Sequence, residues 1–223
     1  MHVVFIVVPN GGTTVEIINC RNEADISGSS ASACIGTFLS NEDKVITITN
    51  FVNLGDIKGS DKGQSYGIIS IVAQDTTINL NNIYIDGKIE GQYVSGLIGS
   101  AILQNIKINA EQVAVNAQLI GSQKAVGFVN AGVLGPQTLS FTDCYFNGTG
   151  ASCLVPTDSA VTTTYKGVFD GEAKTFYEGF NDGEWVTGVN NGTAGLRQFL
   201  AIGNLAPVID VESYLASKGF TKA

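Results

Sequence analysis

Asp25 and Asp56 occupy equivalent places in two segments 31 residues apart. Two carboxylates held one strand spacing from each other could raise one another's pKa, share a cation or act as the acid pair of a glycan-cleaving enzyme. The same position recurs as Lys88 and Gln118, so an Asp56–Lys88 ion pair on a solvated face is the competing expectation, and such pairs contribute little. Asp170, Glu172, Glu178, Asp182 and Glu184 place hard oxygen donors close together. That composition suits Ca²⁺ but lacks the spacing of an EF-hand loop, and an exposed acidic hairpin accounts for it equally. Gly63-Gln64-Ser65-Tyr66-Gly67 fits the nucleophile-elbow pattern of serine hydrolases, yet the chemistry needs a downstream histidine, and the single histidine is His2. Ser65 therefore reads as a turn residue.

The four cysteines, Cys20, Cys34, Cys144 and Cys153, form no Cys-x-x-Cys pair, so neither zinc nor redox chemistry is indicated. Buried free thiols acting as small apolar groups are the default. In an oxidising compartment Cys20 with Cys34, and Cys144 with Cys153, are spaced to staple two short segments.

Whatever these residues do, a strand-rich scaffold must position them. Only 14% of the 223 residues are charged, 44% are hydrophobic, and Gly (27) far outnumbers Pro (4), which argues against disorder and against a charged helical bundle. A net charge of −8 repels phosphate backbones and anionic membrane surfaces, so nucleic acid is not an expected partner. The apolar run Val3 to Val8 is far short of the roughly 18 residues that span a bilayer. It reads as a strand that must pair, because a bare edge of that composition aggregates.

The organising feature is an internal repeat. Glu16 to Gly28 aligns without a gap on Thr47 to Gly59, and the column Asn19, Asn50, Asn82, Gln112, Asp143 steps by 31, 32, 30 and 31 residues. Apolar columns accompany it: Ile17, Ile48, Leu80, Ala110, Phe141; Cys20, Phe51, Ile83, Val113, Cys144; and Ile26, Ile57, Ile89, Leu119. Period-2 alternation at Ile46 and Ile48, Ile78 and Leu80, and Ile106 and Ile108 assigns strands rather than helices. One copy cannot bury its apolar face alone, whereas stacked parallel copies make a continuous core. The expected fold is therefore all-β: a right-handed parallel β-helix of about five coils of about 31 residues, over residues 1–158. In it Asn19, Asn50 and Asn82 stack their amides at a turn. Gly28, Gly59, Gly91 and Gly121 are expected at corners that need positive φ.

The segments Asn82 to Gly91 (Asn-x-x-x-x-Gly-x-Ile-x-Gly) and Val94 to Gly99 (Val-Ser-Gly-Leu-Ile-Gly) resemble the GLUG-motif repeats of bacterial adhesins and related cell-surface proteins. The likeness covers residues 15–155. It departs at Ala33, which stands where the motif has glycine, and in the shortened copy after Asn147-Gly148-Thr149-Gly150. It implies an extracellular or surface-displayed solenoid without catalytic residues, binding a glycan or a surface protein or serving as a stalk. Ser60 to Gln64 and Gln92 to Val94 are the expected recognition edges. A polysaccharide lyase or glycoside hydrolase using Asp25 and Asp56 is the alternative, and a shaft fragment of a longer fibre is a third. No cofactor is expected apart from Ca²⁺ at the acidic segment.

Residues 159–223 read as a small β/α cap. Asp-Gly turns are expected at 170–171 and 182–183, with one short helix capped by Thr193 and another by Asp210. Thr47 and Thr49 flank a possible threonine face of the kind used to order ice, but the other copies are not expected to repeat it.

Overall fold

The computed structural model describes residues 13–38, 44–72, 74–101, 104–131, 135–170, 185–189 and 193–196. Val3 to Val8, Glu172, Glu178, Asp182, Glu184 and the segment after Asp210 lie outside them.

The chain winds as a right-handed parallel β-helix. Its first coil is β1 (Thr13–Asn22), β2 (Ile26–Ser32) and β3 (Ile35–Phe38). The second is β4 (Lys44–Asn53), β5 (Ile57–Tyr66) and β6 (Ile69–Val72); the third β7 (Thr76–Ile85), β8 (Lys88–Ser95) and β9 (Ile98–Ala101); the fourth β10 (Ile106–Val115), β11 (Gln118–Val126) and β12 (Val129–Ala131). A fifth coil opens with β13 (Gln137–Phe146), and β14 (Val161–Lys166) and β15 (Phe169–Asp170) follow. Like strands of successive coils stack into three parallel sheets: a long one running β1-β4-β7-β10-β13-β14, with β15 also on β13, and two four-stranded ones from the second and third strands of each coil.

The stacking reproduces the sequence columns. Ile17 pairs with Ile48, Ile48 with Leu80, Leu80 with Ala110 and Ala110 with Phe141. From the second coil onward these inward side chains are buried, each contributing about 1.5–3 kcal/mol if large. Phe128 and Phe141 stack across the core with centroids 5.1 Å apart.

The corners differ from expectation in one respect. Gly28, Gly59, Gly91 and Gly121 lie within strands and in register, not at positive-φ corners. The left-handed conformation falls on Asn19, Asn50, Asn82, Gln112 and Asp143, with φ between 49° and 56°. Asparagine tolerates this region because its short amide can bond locally. Here it bonds to the next coil: Asn50 Nδ2 donates to Asn19 Oδ1 at 2.9 Å, and Asn82 Nδ2 to Asn50 Oδ1 at 2.9 Å, the expected amide stack. The glycines of β5 and β11 instead serve bulges, where a Cβ on Gly59 would press on Gly63 and one on Gly121 on the Lys124 carbonyl.

After Phe146 the path holds without regular strands. Leu119 N–H donates to Thr149 O at 2.8 Å and Phe128 N–H to Leu154 O at 2.9 Å. Sheet pairing then resumes past residue 158, since Gln137 to Thr142 pair with Val161 to Lys166. Farther on, β16 (Trp185–Val189) and β17 (Thr193–Leu196) pair antiparallel, so Thr193 opens a strand rather than a helix. The β-branched Thr193 and Val189 suit that pairing.

Candidate functional site

Asp25 and Asp56 stand just before β2 and β5. Asp25 Oδ1 accepts the backbone N–H of Asp56 at 2.9 Å, and Asp56 Oδ1 accepts the backbone N–H of Lys88 at 2.8 Å. The two carboxylates thus link successive coils at a corner, each using one oxygen on main chain. The Lys88 ammonium does not pair with Asp56 as expected; it reaches Glu90 at 3.1 Å, and Lys58 reaches the same carboxylate at 3.2 Å. The reason is geometric: side chains two apart along a strand share a face, and Lys58 and Glu90 are direct cross-strand partners. These contacts hold the Glu90 carboxyl below its ordinary range, chiefly through hydrogen bonds from Lys88 and Lys58, and raise the Lys88 ammonium through Glu90.

Beside this charge row lies a shallow recess of about 250 Å³, floored by Gly59, Gly91 and Gly121 and bordered by Ser60, Ser122 and Ile120. The expected recognition edges contribute only in part. Ser60 opens a bulge of β5, in which five residues intervene between Lys58 and Gln64 where β8 has two between Glu90 and Tyr93. Val94, by contrast, points inward and is buried.

Ser65 is not a turn residue. It lies within β5, fully buried, and its hydroxyl donates to Glu90 O at 2.8 Å. The four cysteines are free thiols. Burial pushes Cys34 up to about 12, with Cys20 nearby adding to the shift, and burial likewise pushes Cys144 up to about 12. The single S–H of Cys144 has two backbone carbonyls within reach as alternative acceptors, Ala110 O at 3.4 Å and Thr142 O at 3.3 Å. Of the acidic Ca²⁺ candidates, Asp170 ends β15. Among the described residues no cluster of three metal-ligating side chains forms, and no helix is long and apolar enough to cross a membrane.

A larger feature lies on the outer face of the long sheet. Thr47, Asn79, Asn109, Ser140 and Thr164 form one outward column, and Thr49, Asn81, Glu111, Thr142 and Lys166 the next. Asn109 Nδ2 donates to Asn79 Oδ1 at 2.9 Å and Asn79 Nδ2 to Thr47 Oγ1 at 3.4 Å, so the side chains are ordered by one another. Threonine does recur on this face, though shifted between columns. A third outward column, Val45, Thr77, Lys107 and Thr138, borders a groove of about 560 Å³. Its opposite wall is a second left-handed corner, where Asp75 (φ 53°) and Asn105 (φ 58°) stack and Asn105 Nδ2 donates to Asp75 Oδ1 at 2.8 Å.

No family model, curated protein or solved structure matches this chain. The site therefore has to be read from its own chemistry. The groove escaped the sequence columns followed above, although a signal existed: Asp75 and Asn105 each stand seven residues before Asn82 and Gln112, in step with the repeat. An Asx residue at a fixed offset before each strand marks a stacked corner.

Proposed function

We propose that this chain is a non-enzymatic module, displayed on a surface or secreted, that binds a glycan through the polar outer face of its long sheet. The observation that carries the reading is the columned array of hydroxyl and amide groups running Thr47, Asn79, Asn109 and Ser140, with the groove alongside. Threonine, serine and asparagine each offer both donors and acceptors, which matches the mixed donor and acceptor character of sugar hydroxyls. A rigid array loses little side-chain entropy on binding. The resemblance of Asn82 to Gly99 to adhesin repeats points the same way. The role of Asp25 and Asp56 in joining coils weighs against the lyase or hydrolase alternative.

A glycan array probed with the purified chain tests the reading. Saturable binding to a defined subset of glycans is expected, lost on replacing Asn79 and Asn109 with lysine. The Asp25→Asn, Asp56→Asn double variant should bind as the parent does. Depolymerisation of any polysaccharide by the parent but not by the double variant would favour the enzyme.

A further inference from the structure

Past the asparagine ladder, the outward positions of the long sheet change character. One column there runs in register from Arg21 through Val52, Tyr84, Ala114 and Tyr145 to Phe169 of β15. The residues on either side of it, such as Ile83 and Ile85 or Val113 and Val115, belong to the core, so alternation turns the column itself outward. Before the ladder, outward side chains of the same strands, such as Thr47, Asn79 and Asn109, are polar and half-buried or exposed. In this column, by contrast, Val52 is 2% exposed, Tyr84 4%, Ala114 0% and Tyr145 1%. Neighbours in a single row do not shield one another from above, so another layer of chain must lie over them. The strand that carries Tyr84 is β7, and β17 lies against β7.

We infer that the strip formed by Val52, Tyr84, Ala114 and Tyr145 is the docking face of the chain's own β16–β17 hairpin, which closes on the flank of the solenoid as a clasp instead of covering its end. The dimensions agree. The strip crosses four strands in about 14 Å along the helix axis, and the five residues of β16 extend about 17 Å. The chemistry agrees as well. A tyrosine ring is covered at little cost when its hydroxyl has partners, and the Tyr84 hydroxyl donates to Asp86 Oδ2 at 3.1 Å and accepts from Asn116 Nδ2 at 3.2 Å. The polar end of the side chain is thus held at the corner, and the ring is left for apolar cover. Ala114, between two tyrosines, is the low point of the strip, where another backbone can come close. Coils of a solenoid otherwise touch only their immediate neighbours, so a clasp on this strip adds a longer-range tie between the second coil and the fifth. The docking does not depend on the glycan reading.

Hydrogen exchange of the full chain, read by mass spectrometry, tests the assignment. Ala114→Arg puts a long cation at the centre of the strip. It is expected to speed exchange of the Thr193–Leu196 amides by at least about tenfold, the signature of local opening, while β7 around Ile78 and Leu80 keeps the parent's rate. Ile120→Arg, at an exposed position of β11 in another sheet, should change neither rate. In parallel, a benzophenone amino acid in place of Tyr84 is expected to cross-link to β16 or β17 on irradiation. Unchanged exchange at Thr193–Leu196 in an Ala114→Arg protein with intact circular dichroism would overturn the docking. Should that variant lose the solenoid, the cross-link decides alone: a product only with other parts of the chain, a product with a second copy, or no product would overturn it.

Discussion

A Cβ placed on Gly96 would collide with the carbonyl oxygen of Gly127 in the next coil. Gly67 bears the same relation to Gly96. At Gly67 and Gly96, which precede β6 and β9, glycine is therefore required by the approach of one backbone to another, not by its own dihedral angles, since neither has positive φ. Gly96→Ala must push two coils apart and should cost about 3 kcal/mol, at the upper end of overpacking penalties. Gly36 has open space where its Cβ would stand, and Gly36→Ala should shift stability by no more than about 0.5–1 kcal/mol, in the stabilising direction. Urea unfolding of the two variants provides the comparison; equal stability would contradict the close approach.

Asn50 sits between two neighbours in its ladder. Asn50→Ala removes the hydrogen bonds to Asn19 and from Asn82, each worth about 1 kcal/mol, and forces alanine into the left-handed region at a further cost of about 1 kcal/mol. Asn50→Gly loses the bonds but not the conformation. The expected order of stability is parent, then glycine, then alanine, with about 1 kcal/mol between the two variants. Chemical denaturation followed by circular dichroism reads it directly, and alanine equal to glycine would show that φ is not held.

The contrast between these residues explains how far the fold was legible. Columns such as Ile48, Leu80 and Phe141 follow from period and polarity alone, because only stacking places them together, and strand register confirms them. Which residue turns each corner was not legible from glycine content: conformational permissiveness suggested Gly59 and Gly91, whereas hydrogen bonding across coils selected Asn50 and Asn82. The continuation of the sheet into Val161 to Lys166 was hidden because the fifth coil is shortened and its strand carries Thr162, Thr163 and Thr164 where earlier copies alternate isoleucine with polar residues. The groove was obscured for a different reason. It is lined by two or three residues from each of four successive coils, so no single copy displays it.

Asp56 is a candidate acid whose observed work is structural. Asp56→Asn keeps an oxygen acceptor for the Lys88 N–H, now 2.8 Å from Oδ1, and should stay within about 0.5 kcal/mol of the parent. Asp56→Ala leaves that N–H without its partner and should cost about 1–2 kcal/mol. Glycan binding should be unchanged in the asparagine variant. Thermal melts with a parallel binding assay separate the cases; a stable Asp56→Asn protein that had lost glycan binding would assign the carboxylate to the site.

Burial of the Cys144 thiol should make the fold less stable at alkaline pH. In the unfolded chain Cys144 titrates near its ordinary value of 9.0, while in the folded protein burial holds it at about 12. Between those values the unfolded chain has already released the proton that the native state retains, so stability is intact below about pH 9 and falls as pH rises toward 12, by up to about 1.4 kcal/mol per pH unit for one thiol. Cys34, also near 12, acts in the same direction, and Tyr66, raised by burial, adds to it at higher pH. Replacing Cys144 with alanine should cost about 1 kcal/mol at pH 7 through the lost side-chain volume, yet flatten the decline between pH 9 and 11. Urea titrations at several pH values measure that slope. An unchanged slope in Cys144→Ala would show that the thiol reaches solvent, and rapid alkylation of all four cysteines in the native protein would show the same independently.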